Sequence, residues 1–506
     1  MEASSMPNKL QKRERQMAFW ESESRIVPQQ PTDQVGESKL SNVSEGKAGR
    51  PSRDPNEQTS GHGADKTFSA RLDRITQRAE RDASATFNNL YTLLTYELLY
   101  ESFCQLKPGK APGVDGQTLE EYRTNVIANL QSLVTRLHRQ TYQPQPSLRR
   151  MIPKGNGKFR PLGIACIEDK IVQRSVVKIL ERIYEVDFID SSYGFRPDRS
   201  CHQALSRLGD IITREKVNFV SDADIKGFFD NVNFKPLLEL LEKRIDDPRM
   251  LRLIEKFLAA GVMIDGVMEE TSVGVPQGSS LSPLLANVYL HYVLDDWFEN
   301  VVKQHLRGAA TIVRYADDFI CTFEYETDAQ RFQEALRKRL GRYGLELAEE
   351  KTKLIRFGRF ASRDSQRLGE ERPSTFDFLG FMHYCGLSRA GKFKLKRQTA
   401  KKKFRQKVAA LKDWFRANLT TPISEVWSKL QTKLTGHYQY YNVNDNWSYV
   451  YKFRELARRL GLRWMRRRSQ KGQISWSAYT KRLEHHPLAV PGRVVDLIAM
   501  ARGTSK

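Results

Sequence analysis

Long apolar runs are missing from this sequence. No stretch approaches the roughly 18 consecutive apolar residues that a membrane-spanning helix requires. The opening residues, MEASSMPNKLQKRERQ, lack the apolar core of a secretory signal. Cysteine is scarce as well. The five residues Cys104, Cys166, Cys201, Cys321 and Cys385 are scattered and form no CxxC pair, so neither a disulfide framework nor a zinc site is expected. These absences predict an intracellular, cytoplasmic chain with no membrane partner. Acidic charge is also short, with 60 Asp and Glu against 83 Lys and Arg and a net charge of +23. That excess predicts a polyanionic partner, most simply nucleic acid.

Residues 1–66 are poor in apolar side chains and rich in Ser, Gln, Glu, Lys, Gly and Pro, which predicts disorder. Helix-like spacing begins at Thr67. The Gly- and Pro-rich loop Leu106–Tyr122 follows, with Thr118 and Glu121 placed as a helix capping box. In RRMIPKGNGKFRPLGI (149–164) two apolar strands flank KGNGK. The result is a basic hairpin whose Lys154, Lys158 and Arg160 project from one flap, a device suited to a triphosphate. In SSYGFRPDRSCHQAL (191–205) an aromatic-Gly turn runs into a helix near Ser200. Arg196 and Arg199 there face either a phosphate or template base, or neighbouring acids.

The stretch TIVRYADDFICTF (311–323) is the centre of the chain. Thr311–Tyr315 and Phe319–Phe323 read as strands, and Ala316, Asp317 and Asp318 as the hairpin turn. Adjacent carboxylates at a rigid tip repel and call for a compensating hard cation, above all Mg²⁺. A second carboxylate segment, NFVSDADIKGFFDNV (218–232), reads as a strand ended by Asp224. A carboxylate there, beside a hairpin tip bearing two more, is the construction of a two-metal site. Asp222 and Asp230 are weaker candidates. SVGVPQGSS (272–280) is a Gly-rich loop open to close ligand approach, followed by a helix from about Pro283 to Val302. Asp295 and Asp296 near its far end read as surface charges.

Residues 328–344 read as an amphipathic helix and 375–385 as one strand. The segment 391–412 carries ten Lys or Arg and no acid, and reads as a basic helix suited to a nucleic-acid backbone. In 436–476 Tyr and Trp alternate with Arg, which suits RNA with splayed, stacked bases, or else an aromatic core with a solvated basic face.

Taken in order, KPGKAPGVDG (107–116), IPKGNGKFRPLGI (152–164), YGFRPDRS (193–200), DADIKGFFDN (222–231), GVPQGSSLSPLLANVYL (274–290), RYADDF (314–319), EEKT (349–352) and FDFLGF (376–381) resemble the group II intron-encoded reverse transcriptases/maturases. The resemblance runs from about residue 85 to about residue 490. It implies an α+β right-hand polymerase, with fingers and palm built on antiparallel sheet, followed by a helical thumb/maturase domain. The implied domains are a disordered extension (1–66), fingers and palm (67–387), thumb/maturase (388–486) and a tail (487–506). It further implies Asp224, Asp317 and Asp318 as metal ligands assisted by the Ile225 carbonyl, for two Mg²⁺ that Mn²⁺ can replace. Lys154 and Arg160 would meet the triphosphate, and Phe229 would sit under the sugar. Gln277 and Gly278 would line the nascent pair, and Lys351 would donate a proton to pyrophosphate. RNA contacts are expected at Arg196, Lys401, Lys402, Lys403, Arg405, Arg466, Arg467 and Arg468.

The expected function is RNA-directed DNA synthesis combined with binding of group II intron RNA, to promote splicing and retrohoming. The partners would be intron and template RNA, a DNA primer or target, and dNTPs. Two alternatives stand: a related polymerase without an intron role, in repair or phage defence, and a splicing cofactor without polymerase activity. An RNA-directed RNA polymerase is disfavoured by the bulk of Phe229. No Cys-pair or His-rich nuclease segment follows His486, so second-strand cleavage by this chain is not expected.

Overall fold

The computed structural model describes residues 61–503, except 156–157, 265–266, 270–273, 275–277 and 469–473; for 61–68 and 153–158 only backbone elements are described. Eleven strands, β1–β11 in chain order, form three sheets among these residues. Strands β1 (Ser147–Gly155), β2 (Lys158–Ile164), β4 (Val262–Ile264) and β5 (Val267–Glu269) make a sheet of order β2-β1-β4-β5. This sheet is not wholly antiparallel as expected, because β1 and β4 pair in parallel. The second sheet, of order β6-β7-β3-β8, is antiparallel throughout. It comprises β3 (Phe219–Asp224), β6 (Ala310–Tyr315), β7 (Asp318–Phe323) and β8 (Lys353–Arg356). The third joins β9 (Phe376–Phe378), β10 (Phe381–Leu387) and β11 (Phe393–Thr399).

The second sheet is covered on both faces, and strand alternation assigns its side chains. Ile312, Phe319, Cys321 and Ala223 enter a core shared with helices Ile167–Asp187, Ser282–Leu290 and Glu326–Arg342. Val220, Val313, Ile320 and Ile355 enter a second core, shared with helix Cys201–Arg214, the third sheet and the C-terminal helices. Those helices are Lys401–Ala417, Ile423–Tyr441, Trp447–Arg467, Trp476–His485 and Leu497–Ala501. The architecture is therefore mixed α/β with an additional helical C-terminal region.

Several local expectations change. The first described helix, Gly61–Arg81, opens inside the stretch expected to be disordered, and residues 1–60 lie outside the described residues. The single strand expected over 375–385 is two, β9 and β10, separated by Leu379 and Gly380, both at positive φ. The basic segment 391–412 opens as strand β11 before becoming a helix at Lys401, because its KFKLK alternation pairs with β10. The predicted capping box at Thr118 and Glu121 is present. No helix among the described residues is long and apolar enough to cross a membrane.

Candidate active site

The carboxylate segments meet at one edge of the antiparallel sheet. Asp224, last residue of β3, is the cross-strand partner of Asp318, first residue of β7. Directly opposed residues of an antiparallel pair bring their Cβ atoms to roughly 4.5–5.5 Å. The turn is tighter than expected: Tyr315 pairs with Asp318, leaving Ala316 and Asp317 alone between the strands. Ala316 takes φ +58, as the first position of a two-residue hairpin turn of this kind demands. Asp222 shares the face of Asp224, since it lies opposite Ile320.

The electrostatics reflect this crowding. Burial pushes Asp318 up to about 8, and the carboxylates of Asp222, Asp317 and Asp224 add to the rise. Asp222 is raised to about 7, mainly by burial, against the pull of Lys353. The Lys351 ammonium bonds Asp224 Oδ2 at 2.5 Å, and that bond raises its own proton affinity. An excess of negative charge only partly neutralised by Lys351 and Lys353 is chemically suited to a divalent cation. As placed, no group of three or more His, Cys, Asp or Glu among the described residues closes around one point; Asp224 is instead engaged by Lys351. The Ile225 carbonyl is left out of the ladder beside Leu347, whose bonds run from Ala348 N–H to the Asp224 carbonyl and from Lys226 N–H to the Glu346 carbonyl.

Two contacts of the Gly-rich loop are defined by its glycines. A Cβ at Gly278 would stand 2.3 Å from the Gly163 carbonyl and 2.9 Å from Leu162 Cδ1, so Gly278 lies hard against β2. Arg160, exposed, shares the strand face of Leu162. A Cβ at Gly274 would stand 2.9 Å from the Asp230 carbonyl, next to half-buried Phe229. The Gly-rich loop thus links the basic hairpin to the segment after Asp224. Gln277 and the Lys154 side chain lie outside the described residues.

The profile described as Reverse transcriptase (RNA-dependent DNA polymerase) matches residues 152–383. Protein YkfC of Escherichia coli (strain K12) is 34% identical over 337 residues, 58% of this chain and 88% of YkfC. Group II intron-encoded protein LtrA of Lactococcus lactis subsp. cremoris is 39% identical over 227 residues, 44% of this chain and 37% of LtrA. The chain belongs to the group II intron reverse transcriptase/maturase family. A 91 kDa protein in the cob intron of Schizosaccharomyces pombe is 36% identical over 253 residues, 49% of this chain and 30% of its own. This reverse transcriptase therefore spans about a third of the two intron-encoded relatives.

Not every predicted residue of the reverse transcriptase reaches a surface. Arg196 is a correction. Its guanidinium is buried, pairs with Glu185 at 2.9 Å and donates to the Ile189 and Ser192 carbonyls, so it locks the loop rather than contacting RNA. Lys401, Lys402, Lys403 and Arg405 are exposed on one helix. Arg466 and Arg467 are exposed too, although Arg466 Nε donates to the Ile474 carbonyl at 2.8 Å. Arg468 lies over the Trp464 ring and bonds the Thr421 carbonyl, so much of it is structural. Among the aromatics of 436–476, Tyr438, Tyr441, Phe453 and Trp464 are core, whereas Trp447, Tyr451 and Trp476 are exposed.

Sequence reasoning missed the support behind the hairpin. Asp295 is fully buried rather than a surface charge, and it pairs with Arg314. Helix Ser282–Leu290 continues through two π-helical turns, His291–Asp295 and Phe298–Val302, so ordinary helical phasing misplaces Asp295. Arg314 Nη1 also bonds Asn287 Oδ1 and the Ala316 carbonyl, and Asn287 Nδ2 bonds the Gly194 carbonyl. Gly194 fits against the turn because a Cβ there would stand 2.2 Å from Ala316 N. The available signal was an Arg inside an otherwise apolar strand, IVRY.

Proposed function

We propose that this reverse transcriptase copies RNA into DNA at the Asp224–Asp318 edge, and that its helical C-terminal region grips intron RNA to assist splicing and retrohoming. The antiparallel sheet would be the palm, the basic hairpin and its sheet the fingers, and the helices after about residue 388 the thumb/maturase domain. The β10–β11 pairing carries the chain across that boundary. The observation that carries the reading is the cross-strand pairing of Asp224 with Asp318.

In this reading Asp224, Asp317 and Asp318 hold two Mg²⁺, which Mn²⁺ can replace, with the Ile225 carbonyl facing them. When bound, such ions favour the deprotonated primer 3′-hydroxyl and neutralise the leaving pyrophosphate. Lys154 and Arg160 bind the triphosphate of the incoming dNTP. Phe229 occupies the space a 2′-hydroxyl would need. Gln277 and Gly278 line the template–nucleotide pair. Lys351, which bonds the Asp224 carboxylate, would donate a proton to pyrophosphate. Exposed Lys401, Lys402, Lys403, Arg405, Arg466 and Arg467 take up RNA phosphates.

The test is primer extension by the purified full chain on an RNA template with a DNA primer, dNTPs and Mg²⁺ or Mn²⁺. Template-dependent extension is the expected result. A folded chain that extends no primer with either ion contradicts the reading.

A further inference from the structure

Helix Trp447–Arg467 presents two different faces. At about 100° per residue, Leu460, Arg463, Trp464 and Arg467 fall together on one side, where they line a cleft against helix Lys401–Ala417. Trp447, Tyr451, Arg454 and Arg458 fall within about 60° of one another on the opposite side, over a length of about 16 Å. Trp447 is 62% exposed and Tyr451 52%. Their rings meet edge to face, with centroids 6.2 Å apart and planes at 73°.

The stripe ends against helix Trp476–His485. A Cβ at Gly461 would stand 2.6 Å from the Tyr479 hydroxyl, so that helix crosses here. Trp476, 39% exposed, lies under the Arg458 guanidinium at 4.4 Å. Charge along the stretch is one-sided. Residues 447–459 carry Lys452, Arg454, Arg458 and Arg459 against the single acid Glu455, which Arg458 and Arg459 share. Arg454 has no ion-pair partner among the described residues; its Nε donates to the Ala489 carbonyl at 3.2 Å.

We propose that the row from Trp447 through Tyr451 to Trp476 is a stacking platform for unpaired bases of RNA, on the side of the helix away from the cleft. The proposal rests on the reading of the helical region as the RNA grip and divides that grip, with phosphates on the cleft side and bases on the stripe. Flat rings left in water among arginines match a polyanion that carries flat, splayed bases. A second copy of this chain would bring like charge against like charge. Paired bases are stacked within their own helix and present no free face, so the platform selects unpaired nucleotides.

The test measures binding of the full chain to oligouridine and to a fully paired RNA, by fluorescence anisotropy across a salt series. Trp447→Ala with Tyr451→Ala should weaken oligouridine binding by about 5- to 100-fold for each stacked base. The slope of log affinity against log salt should stay at the parent value, because no cation is removed. Paired-RNA affinity and unfolding temperature should also stay put, and Trp447→Phe with Tyr451→Phe should keep most of the oligouridine affinity. Parent-level oligouridine binding by the double Ala variant overturns the platform and leaves the RNA-grip reading standing. A parent chain that binds neither RNA overturns that reading as well. Equal losses on both RNAs, a flattened salt slope, or a loss seen only with oligodeoxythymidine each overturn the assignment to unpaired RNA bases. Self-association of the parent that the Ala variant abolishes, with RNA binding intact, makes the stripe a protein interface and overturns it too.

Discussion

Arg314 and Asp295 form a fully buried ion pair behind the turn Ala316–Asp317 that leads into Asp318. Arg314 Nη2 lies 2.5 Å and Nε 2.8 Å from the Asp295 carboxylate, and neither side chain reaches solvent. The remaining guanidinium nitrogen is divided between Asn287 and the Ala316 carbonyl. A fork of this shape fixes a turn in a way that lysine cannot.

Removing one partner strands the other charge in the core. Arg314→Met or Asp295→Leu should therefore destabilise the chain by about 3–5 kcal/mol, measured by denaturant unfolding. The double variant Arg314→Met, Asp295→Leu should recover most of that stability. It should not recover DNA synthesis, because the Ala316 carbonyl has still lost its donor. A double variant as active as the parent would show that the pair serves stability alone.

The raised carboxylates set a pH dependence. Asp318, at about 8, and Asp222, at about 7, bind protons more tightly in the fold than in the unfolded chain. In the metal-free chain the fold then holds more protons than the unfolded state above the ordinary carboxylate range, so stability falls as pH rises toward 8. Unfolding temperature in EDTA should drop across that window, and Asp318→Asn should flatten the drop. Added Mg²⁺ should restore stability at the alkaline end. A melting temperature that rises from pH 6 to pH 8 in EDTA, where Asp318 and Asp222 are losing protons, would contradict the assignment.

Phe229, half-buried five positions after Asp224, is the proposed barrier to a 2′-hydroxyl. Phe229→Val should raise ribonucleotide incorporation relative to deoxynucleotide incorporation, measured as the ratio of kcat/KM values on one template. An unchanged ratio removes Phe229 from that role.

On the C-terminal helices, Lys412, Arg416, Arg463 and Arg467 rim a cleft floored by Phe415, Leu419, Leu460 and Trp464. Asp413 pairs with Arg416 there. Lys412, Arg463 and Arg467 are exposed with no acidic partner among the described residues. Replacing these three with Ala should weaken RNA binding, and each lost phosphate contact should take about 0.7–0.9 from the slope of log affinity against log salt. Arg468→Ala should instead lower unfolding temperature, since that guanidinium lies on Trp464. An unaltered slope in the triple variant would make the cleft a solvated surface.

How much of this was legible varies with the range of the forces involved. The hairpin was readable because TIVRY and FICTF are strand-forming and too close together for anything but a turn. Its register was missed by one residue, since nothing local distinguishes Asp318 as a turn residue from Asp318 as a strand end. Arg314 could be recognised as a charge needing a buried partner, but its partner could not be named. Asp295 reaches it only because the helix loosens into π-helical turns. Arg196 shows the reverse error. A basic residue in a basic protein suggests RNA, yet its partner Glu185 lies on a separate helix and burial decides its role. The aromatics of 436–476 could not be divided between core and surface until the helices were packed. Trp464 went inside and Trp447 outside with no difference in local sequence to foretell it.

The most direct test of the catalytic assignment pairs two assays on one preparation of Asp317→Ala, Asp318→Ala. Metal ligands act in the chemical step, whereas RNA affinity should reside in the basic helices and hairpin. Removing two carboxylates near a polyanion carries no electrostatic penalty for binding. DNA synthesis on an RNA template should therefore vanish while RNA binding, followed by filter retention, stays at the parent level in a chain that remains folded by circular dichroism. Retained DNA synthesis would contradict the account.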